Sequence, residues 1–229
     1  MAERLNFPRR VRTLLVYGGS FDPPHHAHIA APRAVADRLY GGSAAVLYIP
    51  AAQSPHKPGG PAAADLHRVA MLRLAGAEHV WTGELGAAGA PPRPSYTIDT
   101  LRRLRKLVPA RVGLRLLIGA DQAAAFHRWR SPRAILRLAD PLVMARAPIA
   151  TADELYRGLD AEFWTTAEKR AWCERLAPNP LLTDASSDTR RAIPGAPRTL
   201  AGWRMSLPEV PAAVARYIMD HGLYGFARP

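Results

Sequence analysis

Cysteine is almost absent from this chain. The single Cys173 excludes an internal disulfide and any zinc site built on several thiolates, and its expected state is a buried, inert thiol. Lysine is nearly as scarce: Lys57, Lys106 and Lys169 are the whole complement among 31 basic residues, set against 19 acidic ones. The net charge of +12 favours phosphorylated partners without separating nucleic acids from small nucleotides. An arginine excess of this kind also follows from codon bias, so charge alone does not establish nucleic-acid binding. Long apolar runs are missing too. After Arg9, Arg10 and Arg12 the apolar stretch lasts only from Leu14 to Tyr17, too short for a signal-peptide core, and nothing approaches the roughly 20 apolar residues of a membrane span. A cytoplasmic protein is expected. Internal repeats and low-complexity linkers are absent, and 229 residues suffice for one α/β domain, alone or with a small appendage.

What is present is an alternation. Val11 to Tyr17 is short, apolar and stopped by a glycine pair, as a buried parallel strand is. Ala27 to Tyr40 has its apolar residues at helical spacing and ends at Gly41-Gly42, and Ala44 to Ile49 reads as a second buried strand. The pattern continues with a helix at Asp65 to Ala75, a strand near His79 to Thr82, a helix at Thr97 to Leu107 and a strand at Val112 to Ile118. A further helix, Pro132 to Leu138, and strand, Pro141 to Ala145, follow. Such alternation predicts an α/β fold with a doubly wound, mostly parallel, Rossmann-like sheet. Thr151 to Pro178 breaks it and reads as a helical excursion. Leu181 to Thr183 is the last expected strand, Ser186 to Ala192 a turn into a short helix, Pro194 to Leu207 loop, and Pro208 to His221 a terminal helix.

In an open parallel sheet, ligands bind beyond the carboxyl ends of the strands, where helix N-termini point N–H groups outward. Gly18 and Gly19 stand there. Without side chains they let the backbone approach a phosphate, Phe21 can pack the loop down, and Pro23-Pro24 restrict it. His25 and His28 then lie one helical turn apart and face one side. Two imidazole donors aimed at one point suit a phosphorus centre whose negative charge spreads over non-bridging oxygens. The helix dipole disfavours extra positive charge there, so at least one imidazole is expected to be neutral, with Lys57 and a later arginine supplying full charge. A His-rich cluster with Asp22 is also compatible with a metal site, although no distant ligand set is evident.

The loop Gly18-Gly19-Ser20-Phe21-Asp22-Pro23-Pro24-His25-His26-Ala27-His28 resembles the Gly-Gly-(Ser/Thr)-Phe-Asp-Pro-x-His-x-Gly-His signature of bacterial nicotinate-nucleotide adenylyltransferases. Ordered matches continue through Ser54-Pro55-His56-Lys57, Arg68, Ser95-Tyr96-Thr97-Ile98-Asp99-Thr100, Ile118-Gly119-Ala120-Asp121, Trp129, Ser186-Ser187 and Val214 to Tyr224. The resemblance implies that the 5′-phosphate of nicotinate mononucleotide attacks the α-phosphorus of ATP, giving deamido-NAD and pyrophosphate. It also implies Mg2+ on the triphosphate, held mainly by phosphate and water. Carried over by position, Gly18, Gly19, Ser20, Phe21, Gly119, Asp121, Ser186, Ser187 and Arg190 would bind ATP, with His25, His28, Lys57 and Arg191 catalytic; of the two arginines, Arg191 rather than Arg190 is expected on the triphosphate. His56, Thr97, Trp129 and Arg130 would bind the mononucleotide. Residues 1–184 would form the Rossmann-like transferase domain, with 151–178 as its helical excursion, and 185–229 a helical part completing the ATP site.

Plainer roles are open for several of these residues: Trp129 as a helix-end packer, Thr97 as an N-cap, Asp121 as a cap. The chain also departs from the signature. Ala27 replaces a glycine, which a helical position tolerates, and Asp188 replaces a threonine, which is expected to point away from phosphate. Rival readings are a transferase acting on nicotinamide mononucleotide, pantetheine phosphate or a cytidylyl donor, a class I aminoacyl-tRNA synthetase, for which the chain is too short, and a non-catalytic nucleotide or nucleic-acid binder. Replacing His28 with alanine is expected to cut kcat by about two orders of magnitude; an unchanged kcat would return the residue to a structural role.

Overall fold

The computed structural model describes residues 5–53, 60–86, 94–183 and 185–227. In chain order the elements are β1 (Thr13–Gly19), α1 (His26–Tyr40), β2 (Ala44–Pro50), α2 (Asp65–Leu74), β3 (His79–Val80), α3 (Thr97–Leu107) and β4 (Gly113–Gly119). They continue with α4 (Ala120–Ala124), α5 (Pro132–Leu138), β5 (Pro141–Arg146), α6 (Ala152–Gly158), α7 (Thr166–Cys173) and β6 (Leu176–Leu182). The last are α8 (Ser186–Ala192), α9 (Leu200–Ser206) and α10 (Ala212–His221). The six strands form one parallel sheet in the order β3-β2-β1-β4-β5-β6. The central strands are buried apolar runs, with Leu14, Leu15 and Val16 in β1, Leu116 and Leu117 in β4, and Leu142, Val143 and Met144 in β5. Tyr17 is level with Leu117, so the carboxyl ends of β1 and β4 emerge side by side where the strand order reverses. That switch point is where open α/β sheets bind their ligands.

Two compact units are present. The first comprises Met1–Gly18, Ala31–Leu47 and Tyr96–Thr183; the second comprises Gly19–Ala30, Tyr48–Ser95 and Asp184–Pro229. In the first, the excursion after β5 is a helix pair, each helix opened by a capping box: Thr151 with Glu154, and Thr165 with Glu168. It ends in an aromatic cluster. Phe163 packs edge-on to Trp164 at 4.6 Å, Trp164 on Trp172 at 5.8 Å, and Trp172 on Phe126 at 4.9 Å. The second unit has its own core, in which Met71 of α2, Ile193, Trp203 of α9, and Val214 and Ile218 of α10 are all fully buried.

Two sequence expectations are corrected. β6 begins at Leu176 rather than Leu181, so the helical excursion stops short of Pro178. Pro178 and Pro180 read as breakers, yet β6 is an edge strand, where a missing N–H is tolerated. Asn179 replaces the lost ladder bonds, its side chain accepting from Ala145 N–H at 2.9 Å and donating to Ala145 C=O at 3.2 Å. The stretch 194–207 is not all loop, because α9 occupies Leu200–Ser206, with Thr199 Oγ1 accepting from Gly202 N–H at 3.1 Å. Among the described residues, no helix is long and apolar enough to cross a membrane.

The α2–α10 contact carries a pH dependence. His67 Nδ1 lies 3.0 Å from the Tyr217 hydroxyl, and Tyr217 stacks on His221 at 3.9 Å. Burial first, and then the neighbouring His221, hold the His67 imidazole below its usual value. The folded chain therefore favours neutral His67; this contribution is complete above about pH 6.5 and is lost as pH falls through the lower folded value. Denaturant midpoints measured at about pH 7.5 and about pH 5.5 should fall less in His67→Gln than in the parent chain. Equal falls would remove His67 as the cause.

Candidate functional site

The glycine pair ends β1, and the chain then turns into a buried loop, Phe21 through His25, before α1 begins. Phe21 sits at φ 49°, a left-handed angle that a bulky residue holds only when its surroundings fix it. Its ring lies over Gly19, where an added Cβ would stand 2.9 Å from Phe21 Cζ. The ring also meets His28 edge-on at 5.2 Å and Tyr48 at 6.0 Å. Gly19 is therefore needed for packing as well as for any approach of phosphate. Arg68 of α2, wholly buried, donates to Ser20 C=O at 2.7 Å and pairs with Asp65 at 2.6 Å, pinning the loop from below.

His25 and His28 are brought together. Their rings stack at 3.6 Å and 29°, because α1 opens at His26 and sets the two residues three apart across its first turn. The backbone N–H of His25 donates to His28 Nδ1 at 3.1 Å. An accepting Nδ1 carries no proton, so a neutral His28 imidazole has its N–H at Nε2. Ala27, the second residue of α1, is helical, so the methyl in place of a glycine hydrogen meets no backbone restriction. Glu209 fixes the helix start: its C=O accepts from His26 N–H at 2.8 Å, and its carboxylate accepts from Thr189 of α8 at 2.9 Å.

Asp22 is the hub of this unit. Its carboxylate is 1% exposed and accepts from Ala62 N–H at 2.7 Å, Ala63 N–H at 3.2 Å and the Tyr224 hydroxyl at 2.7 Å. Burial first, then the Asp22 charge and its hydrogen bond, push the Tyr224 phenol up, so it stays protonated and donates. Arg190 of α8 donates to the Asp22 C=O and lies 3.7 Å from the carboxylate, while Ser186 Oγ donates to Pro23 C=O at 3.0 Å. Arg191 turns to the exposed face, where it pairs with Asp188 at 2.6 Å, and Ser187 donates to the same Asp188 oxygen at 3.3 Å. Asp188 is thus engaged on the surface of α8, and Arg190 is the arginine held at the loop. Among the described residues, no three His, Cys, Asp or Glu side chains are grouped as metal ligands. Asp22, the carboxylate that suggested such a site, is engaged by hydrogen bonds.

In the first unit, Gly119 ends β4 two residues before Asp121, and a Cβ at Gly119 would stand 2.5 Å from Asp121 Oδ1. Arg146 at the end of β5 places Nε 4.0 Å from the same oxygen. Tyr17 is buried beside them, its phenol pushed up to about 12 by burial, with Arg146 opposing and Asp121 adding. α3 opens at Thr97 with Tyr96 in the cap position, so Thr97 is not the N-cap. Arg130 reaches the same helix start, 4.9 Å over the Tyr96 ring and 3.5 Å from Asp99. Trp129 is half-buried and stacks on Phe126 at 4.8 Å, which makes it the outer member of the aromatic cluster. His56 and Lys57 lie outside the described residues. Sequence reasoning missed the roles of Asp22, Arg68, Arg146, Glu209 and Tyr224; Arg68 with Asp65 three residues before it was the one readable local pair.

A cytidylyltransferase-like family model matches residues 16–172. A protein of Stenotrophomonas maltophilia named probable nicotinate-nucleotide adenylyltransferase is 38% identical, covering 94% of this chain and 98% of its own length. One of the same name from Bordetella petrii is 39% identical, covering 90% and 96%. The chain belongs to the nicotinate-nucleotide adenylyltransferase family. Its fold is shared with the nicotinic acid mononucleotide adenylyltransferase of Plasmodium falciparum complexed with NaAD, at a TM-score of 0.61 and 15% identity over 94% of this chain and 98% of that one.

Gly19→Ala is expected to displace the Phe21 ring and to destabilise the chain by about 1–3 kcal/mol, with kcat/KM falling alongside. Urea unfolding checks the first part; an unchanged midpoint would remove the ring as the reason for glycine.

Proposed function

We propose that this chain transfers the adenylyl group of ATP to nicotinate mononucleotide, giving deamido-NAD and pyrophosphate in NAD biosynthesis. Family membership supports the reaction. The observation that carries it is the His25–His28 stack that follows the glycine pair of β1, with the His28 N–H at Nε2. The mononucleotide phosphate oxygen attacks the α-phosphorus in line, the bond to the bridging oxygen breaks, and pyrophosphate leaves without a covalent enzyme intermediate. His28 Nε2–H and His25 stabilise charge on the non-bridging oxygens, and Lys57 adds a flexible cation.

Reversing the order expected from sequence, Arg190, with Ser186 on the same helix, is assigned to the triphosphate ahead of Arg191 and Ser187, because Arg190 and Ser186 are held on the loop whereas Arg191 and Ser187 both engage Asp188. Gly119 and Asp121 serve the nucleotide sugar, and Thr97, Trp129, Arg130 and His56 serve the pyridine mononucleotide. A tryptophan backed on one face by Phe126 suits stacking of a flat ring on the other. Magnesium fits as a companion of the triphosphate. Residues 18–28 hold one carboxylate, Asp22, and its oxygens are taken by two backbone N–H groups and Tyr224, so phosphate and water supply the ligands.

Pyrophosphate release should be followed with ATP and, in turn, nicotinate mononucleotide, nicotinamide mononucleotide and pantetheine phosphate. The nicotinate compound should give the highest kcat/KM; comparable values for the two pyridine compounds would sink the nicotinate preference, and no release with any acceptor would sink the transferase reading. Arg190→Ala should raise KM for ATP by about tenfold or more, and Arg191→Ala by less.

A further inference from the structure

We infer that Asp22 is a positioning residue that sets the ATP affinity of the loop, and that the Tyr224 hydroxyl holds it in place; the inference rests on the adenylyl-transfer reading of that loop. A carboxylate in a segment that must receive a triphosphate is a liability unless its charge is met locally, because an unmet anion repels the ligand. Here both oxygens are met from elsewhere in the unit. Oδ2 accepts from Ala62 N–H, and Oδ1 accepts from Ala63 N–H and Tyr224 Oη, while Asp22 C=O accepts from Arg190. At 1% exposure, the side chain cannot leave these partners to touch a substrate without abandoning the buried Ala63 N–H and the Tyr224 hydroxyl.

The partners belong to three separate stretches of chain. Ala62 and Ala63 lead into α2, Arg190 lies on α8, and Tyr224 lies in the 3-10 turn Leu223–Gly225 after α10. Asp22 itself lies three residues before His25. One carboxylate therefore fixes the spacing between the imidazole pair and the α8 guanidinium. Arg190 is gripped at the backbone oxygen and faces the carboxylate at 3.7 Å, so its guanidinium is aimed rather than left to sample rotamers. Asparagine at position 22 keeps the shape but turns an amide N–H toward a backbone N–H, donor against donor, and removes the charge facing Arg190.

The test uses the full chain with Asp22→Asn, Tyr224→Phe and the double variant. KM for ATP, KM for nicotinate mononucleotide, kcat and Tm are measured, together with calorimetric binding of α,β-methylene ATP, which needs no turnover. Asp22→Asn should raise KM for ATP and Kd for the analogue by about tenfold or more, and leave KM for the mononucleotide within about twofold. Tyr224→Phe should shift the same two quantities by about threefold or more, and the double variant should be no worse than Asp22→Asn, as expected for groups in one network. Variants that lose Tm but bind the analogue as the parent does, or that raise both KM values equally, would reduce Asp22 to a structural role and overturn the inference. If Asp22→Asn does not fold, Tyr224→Phe decides alone by the same threshold. A parent chain that binds the analogue but releases no pyrophosphate with any acceptor would end the transferase reading, while the variants' Kd values still decide the inference. A parent that does not bind the analogue overturns both.

Discussion

The loop after β1 carries a buried anion, Asp22, and the second unit is organised around meeting that charge. Asp22 cannot be left to water, because it is sealed from it, and cannot be left bare, because a charge buried without partners costs several kcal/mol. Its donors come from the backbone before α2, from Tyr224 and from Arg190, and bringing them to one point requires three distant stretches of chain to share one core. Met71, Trp203 and Val214 supply that core, each contributed by a different helix that also carries or adjoins a loop contact. Packing and electrostatics therefore enforce each other: the apolar core holds the donors, and the donors hold the loop.

A different logic serves the first unit. The strand ends supply positions, with Gly119 giving room to Asp121, and Arg146 approaching from the end of the neighbouring strand. The helix pair after β5 supplies a surface. Trp164, Trp172 and Phe126 pass contacts outward to Trp129, so the excursion from the βα alternation ends as the backing of an aromatic ring. Aromatic packing of this kind is stiff, because each ring is fixed by the one beneath it.

Local elements were legible wherever their cause was local. α3 and α5 occupy the stretches expected of them, Thr97–Leu107 and Pro132–Leu138, because apolar period, an opening proline and a charged last turn are all written within one or two turns. β6 was not legible at its start, since Pro178 and Pro180 argue against a strand unless one knows that it lies at the sheet edge. α9 was hidden by Pro194, Gly195 and Pro197 just before it, although Leu200, Trp203 and Leu207 keep helical spacing. The His25–His28 pair was readable from its spacing, whereas the hydrogen bond that fixes the His28 tautomer depends on the backbone bend at the start of α1. Arg190 and Arg191 are neighbours with the same chemistry, and only the direction of α8 separates one facing the loop from one facing solvent.

The sequence by itself determined the class of fold and the family, because periodicity and the spacing of glycine and histidine are short-range properties. Tertiary structure alone decided that Asp22 is a hub rather than a ligand, that Tyr224 and Arg68 belong to the loop's support, and that Thr97 opens a helix without capping it. The physical reason is that a buried carboxylate is defined by its donors. Those of Asp22 lie some 40 to 200 residues away along the chain, at separations over which no sequence pattern fixes a contact.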